Sequence, residues 1–213
     1  MIQTWAANIK PLMEEDCYRK YYLEAPVFRK KKADQLKLDK KKAQSIGAWS
    51  VYAQMTKFYG LRDDAVYNLS HSGDYVLCSV CTKEQAHAQR VRVGCDIEKV
   101  RDRGLNLAKH FFCESEYQQI FRQPDEEKQK EFFYRYWVLK ESFMKATRKG
   151  LALPLDSFEI ALGTPPVLIR QPEEFSEEYH YMETQLENGE YRVAVCSTEQ
   201  EIDTEIRLIQ LGI

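Results

Sequence analysis

The chain has no apolar run approaching the roughly 18 residues that a membrane-spanning helix needs, so no membrane role is expected. Its N-terminus, MIQTWAANIKPLMEED, lacks a basic leader followed by an apolar stretch and does not read as a signal peptide. Charge of either sign is not in excess: 31 basic residues face 33 acidic ones, for a net charge of −2. Such balance gives no global attraction to nucleic acid or to an anionic membrane, so any anion site must be a local patch. Cysteine motifs are sparse too. Six cysteines are scattered along the chain, and only Cys78 and Cys81 form a C-x-x-C pair. A zinc ribbon needs a second such pair. The six are read as reduced thiols of a cytoplasmic protein, because 213 residues can build a core without disulfide staples. No low-complexity linker interrupts the chain, so its parts are expected to pack closely.

What is present is patterned. Residues 2–9 read as a strand. Pro11 suits a first helical position, with Glu14, Glu15 and Asp16 in the opening turns. A short helix is expected after Pro26, and a long one from Asp39 to Tyr59 with Gly60 as its stop. AVYNLS and DYVLCSVC read as strands around a turn at His71-Ser72-Gly73-Asp74, followed by the strand RVRVGCDIEKV. Helical pieces follow from Leu105 to about Phe121. Asp125, Glu126 and Glu127 then open a helix expected to reach about Thr147, with Gly150 as the stop. Its apolar residues Phe132, Phe133, Tyr136, Trp137 and Met144 recur at three- and four-residue steps. FEIAL, HYMETQL, YRVAVCS and EIRLIQL read as strands, with an Asn-Gly turn at Asn188-Gly189. Each half thus runs long helix, glycine, strands, a faint internal repeat in element order.

Four groups of residues can carry chemistry. Asp96 and Glu98 lie two apart on a strand, so both carboxylates share one face and Cys95 and Ile97 the other. The pair suits magnesium, which takes one or two carboxylates with phosphates and waters; an exposed strand face is the plainer reading. Glu141 lies four residues from both Trp137 and Lys145 along one helical stripe. A solvated Glu–Lys pair would explain the spacing, but a carboxylate at the edge of an apolar helix calls for a cation. Asn68-Leu69-Ser70-His71-Ser72-Gly73 can hold a phosphate through hydroxyls, an imidazole and turn amides, or can be a simple turn. Finally, Arg29, Lys30, Lys31, Lys32, Lys37, Lys40, Lys41 and Lys42 are opposed only by Asp34 and Asp39. With no aromatic residue between Phe28 and Trp49, this run lacks the stacking platform of a single-stranded nucleic acid binder.

Taken in order, these segments resemble the 4′-phosphopantetheinyl transferases of the monomeric type that activate peptide, polyketide and siderophore synthetases. NLSHSG is similar to that family's F-N-I-S-H-S-G segment, VGCDIEKV to G-I-D-I-E-K, and HFFCESEY to R-F-F-x-x-x-E-Y. YRYWVLKESFMKATRKGLALPLDSFEI resembles W-x-x-K-E-[AS]-x-x-K and the G-L-x-x-P-L run behind it. The resemblance implies an α+β fold of two similar α/β subdomains related by a pseudo-twofold, residues 1–90 and 91–213, with the ligand site between them. It implies transfer of the phosphopantetheine arm of coenzyme A to a serine of an acyl or peptidyl carrier protein. It further implies magnesium, or manganese, held by Asp96, Glu98 and Glu141; Glu141 and Lys145 at the reacting phosphates; and Arg29, Lys32, Ser45, Ser70 and His71 on coenzyme A. Glu141, directly or through a water, is the candidate base. The basic run and the apolar residues around Phe111 and Phe112 are candidate docking surfaces for the carrier, with core packing the alternative for the phenylalanines. Neither nucleic acid nor membrane is an implied partner, and a monomer is expected.

The sequence departs from the family in one region. The usual Gly-Lys-Pro before the histidine segment is absent, and Tyr59-Gly60-Leu61-Arg62-Asp63-Asp64 stands there instead, with Arg62 as a substitute cation. Gln44 occupies a position where a basic residue is frequent. Two competing readings remain: another magnesium enzyme of phosphate esters, such as a nuclease, and a non-catalytic binder of carrier proteins or coenzyme A. The first leaves Ser70-His71-Ser72-Gly73 without a role; the second leaves the three carboxylates and Lys145 without one.

Overall fold

The computed structural model describes residues 1–62, 64–83, 91–102 and 105–212. The chain opens with β1 (Ile2–Asn8), and Pro11 then lies in a 3-10 turn, Lys10–Met13, rather than in the helix expected there. Three helices follow: α1 (Glu15–Glu24), α2 (Val27–Asp34) and α3 (Asp39–Tyr59). The hairpin β2 (Tyr67–Ser72) and β3 (Tyr75–Cys81) completes the first unit. The second begins with β4 (Val93–Lys99), then α4 (Leu105–Phe111), α5 (Glu114–Phe121) and α6 (Glu126–Ala146). A two-stranded ribbon, β5 (Glu159–Ala161) with β6 (Val167–Arg170), precedes β7 (His180–Leu186), β8 (Tyr191–Ser197) and β9 (Ile202–Gln210).

The architecture is α+β, and the internal repeat is visible in its topology. In the first sheet the order is β2-β3-β1-β9; in the second it is β4-β8-β7. In each, the first strand of the unit pairs antiparallel with the second strand of the hairpin, β1 with β3 and β4 with β8. A 21-residue helix, α3 or α6, lies between the first strand and the hairpin in both units. The division at residue 90 is not followed by every strand: β9, from the far end of the chain, adds to β1 in parallel.

Each strand of the core separates two packing layers. Cys78 packs with α3 residues Ile46 and Met55, whereas Cys81 packs with β4 and β8 residues Cys95 and Val195. Three steps along a strand bring opposite faces forward, so the C-x-x-C pair cannot share a metal. All six cysteines are buried and unpaired. The phenylalanine pair at the end of α4 also divides. Phe112 is 6% exposed and stacks on Phe133, which is core packing, while Phe111 is 50% exposed.

Close contact between α6 and β4 depends on one glycine. A Cβ at Gly94 would lie 2.0 Å from Ser142 O and 2.4 Å from Ala146 N. Only a bare Cα lets the helix that carries Glu141 and Lys145 approach the strand that carries Asp96 and Glu98 this closely. Helix α6 starts where the sequence indicates, with the Asp125 side chain accepting from Lys128 N. It reaches Ala146, next to the expected Thr147, but the residue that stops it is not Gly150. Thr147 is its C-cap and Arg148 takes a left-handed φ of 61°, so the chain has already turned away before Gly150.

Candidate active site

The seam between the two sheets is built by side chains. β2 and β4 are edge strands of different sheets, and no ladder joins them. Instead, Asn68 Oδ1 accepts from Cys95 N at 3.0 Å, Ser70 Oγ from Ile97 N at 3.3 Å and Ser72 Oγ from Lys99 N at 3.1 Å. Alternation on β2 delivers these three residues to one face, matching the period of the β4 amides, so edge groups that would cost free energy if buried unpaired are satisfied. The same hydroxyls donate onward: Ser70 Oγ to Asp96 Oδ1 at 2.9 Å, and Ser72 Oγ to Glu98 Oε2 at 2.7 Å. From α6, Lys145 Nζ reaches Asp96 Oδ1 at 2.6 Å and Ser70 Oγ at 2.9 Å.

The structure therefore brings Asp96, Glu98, Glu141, Lys145 and Ser70 together. It places His71 on the opposite side of β2 from Ser70, so the two expected phosphate contacts are separated. Ser70 belongs to the carboxylate cluster and His71 to the open clefts. The residues Asn68 and Ser72 that complete the seam were not singled out in the sequence for this task. Their signal was there: two strands with alternating polar positions, N-x-S-x-S and D-x-E.

Negative charge at the cluster is poorly compensated. Asp96 is buried, and its Oδ2 has no hydrogen-bond partner. Burial, then Asp96 and to a lesser degree Glu141, push Glu98 up to about 7 against the opposing pull of Ser72 and Lys145. Burial and Asp96 likewise raise Glu141 above the usual carboxylate range, with Lys145 opposing. For Lys145, burial disfavours the ammonium, but Asp96, Cys95 and Glu141 outweigh it and hold the group above the ordinary lysine value. A buried carboxylate oxygen without a partner, beside two acids whose pKa values are raised by burial and by each other's charge, is a donor set that a divalent cation would satisfy. Among the described residues, however, no three His, Cys, Asp or Glu side chains are gathered as a ready metal site. Lys145 and Ser70 lie on one Asp96 oxygen, and Ser72 lies on Glu98.

Two clefts adjoin the cluster and share Lys41 and His71. The first, about 520 Å³, runs from Lys40 and Gln44 past Ser72 and Glu98 to an apolar wall of Leu107, Phe133 and Trp137. The second, about 680 Å³, is lined by Arg29, Lys32, Lys41, Ser45, His71 and Arg148, with Asp64 the acid among them. All four resemblance-derived coenzyme A residues outside the cluster, Arg29, Lys32, Ser45 and His71, thus line one cavity. Two of them hold unsatisfied groups: Arg29 Nε and Ser45 Oγ are buried without partners. The Arg29 guanidinium lies 5.0 Å from the Trp49 ring, and burial lowers its pKa. Desolvation by the cleft walls, then Lys41, Lys145 and Lys32, lower the His71 pKa, although the side chain itself is exposed in the cleft. Solvent reaching the ring discounts the desolvation, and the three lysines carry the lowering. Arg62 lines neither cleft; it is 77% exposed and lies 3.8 Å from Asp64.

These features meet in one family. A model of the 4′-phosphopantetheinyl transferase superfamily matches residues 92–196, and the chain belongs to that superfamily. Among curated relatives, it is 35% identical over 147 residues to 4′-phosphopantetheinyl transferase Sfp of Bacillus subtilis strain 168, covering 68% of this chain and 61% of that protein. It is 38% identical over 136 residues to a second 4′-phosphopantetheinyl transferase of Bacillus subtilis, covering 63% and 55%. The match to 4′-phosphopantetheinyl transferase HetI of Nostoc reaches 43% over 99 residues, 46% of this chain and 38% of that one. The chain thus spans less than two thirds of the length of these relatives.

Proposed function

We propose that this protein transfers the 4′-phosphopantetheine group of coenzyme A to a serine of an apo acyl or peptidyl carrier protein, releasing 3′,5′-ADP. The observation that carries the reading is the junction at the seam. Three carboxylates and a lysine stand beside a cavity lined by Arg29, Lys32, Ser45 and His71, so a polyphosphate can lie across both. In this reading the nucleotide end of coenzyme A occupies the basic cleft. Its pyrophosphate reaches Lys145, and the pantetheine arm leaves along the cleft walled by Phe133 and Trp137.

The carrier serine Oγ attacks the β-phosphorus, a P–O bond to the departing 3′,5′-ADP breaks, and the serine proton passes to Glu141. A carboxylate with a raised pKa is the better base for that proton. Lys145 stabilises the charge that grows on the leaving oxygens. Transfer of this kind is mainly positioning and charge neutralisation, so the seam that fixes β4 against β2 contributes as much as any single group. Asp96, Glu98 and Glu141 would hold magnesium or manganese, which when bound neutralises the pyrophosphate. The unpartnered Asp96 Oδ2 and the raised Glu98 and Glu141 support that donor set.

The same proposal includes two α/β subdomains, 1–90 and 91–213, acting as a monomer. It also includes a cytoplasmic setting, supported by six free buried thiols. The deciding test mixes the protein with an apo carrier protein, coenzyme A and magnesium and follows the carrier by mass spectrometry. A gain of one phosphopantetheine is expected. An unchanged carrier mass with every carrier type tried, or cleavage of nucleic acid under the same conditions, defeats the proposal.

A further inference from the structure

Arg148 has a conformation that its residue type does not favour. It leaves α6 at φ 61°, the left-handed region in which a Cβ is crowded. Helix α3 makes a comparable exit with glycine, Gly60 at φ 63°. A side chain kept at such a position calls for a task, and the surroundings of Arg148 indicate one. Its Nη2 donates to Tyr67 O at 2.9 Å, which fixes the guanidinium at the start of β2. It forms no ion pair among the described residues, and it lines the basic cleft from the side of the second unit. Facing it from α2 and α3 are Arg29 and Ser45, whose Nε and Oγ are buried and unpartnered. Arg62, the substitute cation expected from the sequence, lies outside the cleft.

We infer that Arg148 is a substrate-binding residue. Its guanidinium, braced by Tyr67 O, takes a phosphate oxygen of the nucleotide end of coenzyme A, so cations from both units close on one anion. A guanidinium has five donors in a rigid fork, and a single bond to a carbonyl leaves the others for a phosphate. The inference rests on the reading of the site given under Proposed function.

The test is calorimetric titration of wild-type protein, Arg148→Gly and Arg148→Asn with coenzyme A and with 3′,5′-ADP, alongside thermal melting of the unliganded proteins. Glycine and asparagine both tolerate the left-handed backbone, so neither variant is expected to unfold. Both variants should bind both ligands about ten- to a hundredfold more weakly, as loss of a charge-assisted contact requires. The KM for coenzyme A should rise in step, kcat should change less than about twofold, and the Arg148→Gly melting temperature should stay level or rise. Binding by Arg148→Gly within about twofold of wild type overturns the inference. So does a fall in melting temperature in both variants with unchanged affinity, which would make the residue structural. Wild-type protein that binds neither ligand instead removes the reading of the cleft itself, and the inference with it.

Discussion

Compare α3 with α6. Both run for 21 residues, and both lie on a sheet whose strands are ordered in the same way. Their site-facing residues have opposite character. α3 presents Lys41, Gln44 and Ser45 to the clefts, and with α2 it makes the basic wall. α6 presents Glu141 and Lys145 to the acids of β4. Their exits differ as well, by glycine in α3 and by arginine in α6. A repeated scaffold has therefore been given two electrostatic halves, one suited to the anion of a substrate and one to a cation. In the proposed function neither half completes the site alone, because the reacting phosphate would have to meet both.

Removing the acidic half should break this division most completely. Glu141→Ala and Asp96→Ala are each expected to lower transfer by more than about a thousandfold, equivalent to roughly 4 kcal/mol of transition-state stabilisation. Circular dichroism and thermal melting should show an intact fold, with Glu141→Ala the better tolerated because it relieves like-charge crowding, whereas Asp96→Ala also takes the ion-pair partner from Lys145. A fully active Glu141→Ala would remove Glu141 from the proposed chemistry. Next comes the contact that joins α6 to β4. Gly94→Ala places a methyl where only 2.0 Å separates it from Ser142 O, and denaturant titration should show a loss of about 3 kcal/mol. No such loss would mean that the close approach is not needed.

A smaller effect separates function from stability. The folded pKa of Glu98, about 7, lies above its ordinary 4.5, so the native state holds this proton more tightly than the unfolded chain. Its contribution is fully present below pH 4.5 and is lost as pH rises through 7. Glu98→Gln keeps the neutral form, so the unliganded protein should gain on the order of 2 kcal/mol at pH 8 and almost nothing at pH 4, while losing transfer. Equal stabilities of variant and wild type at pH 8 would contradict the crowding of charge at the seam. The least effect concerns the exit of α3. Gly60→Ala should cost about 1 kcal/mol of stability and leave coenzyme A affinity unchanged, in contrast to Arg148.

Much of this was legible in the sequence for local reasons. Helix α3 spans the expected residues because Gly60 can turn left-handed, and α6 starts as expected because Asp125 caps it. The shared face of Asp96 and Glu98 follows from strand alternation. Other features were not legible, because they depend on which strands meet. The pairing of β9 with β1 joins residues about two hundred apart, and no local pattern encodes it. The contact of Ser70 with Asp96 was hidden for the same reason: alternation gives the face of Ser70, but only the position of β4 puts Asp96 beside it. β6 is not legible because three of its four residues are exposed and so short a run carries little period.

The order and spacing of the acidic, basic and hydroxyl residues were settled by the sequence alone, since periodicities of two and 3.6 are properties of the backbone. So were the helices and most strands. Which of those residues share a cleft was decided only by the packing of one sheet edge against another and of α6 onto a bare glycine. Contact across a fold depends on shape and excluded volume, and these exist only once the chain has closed.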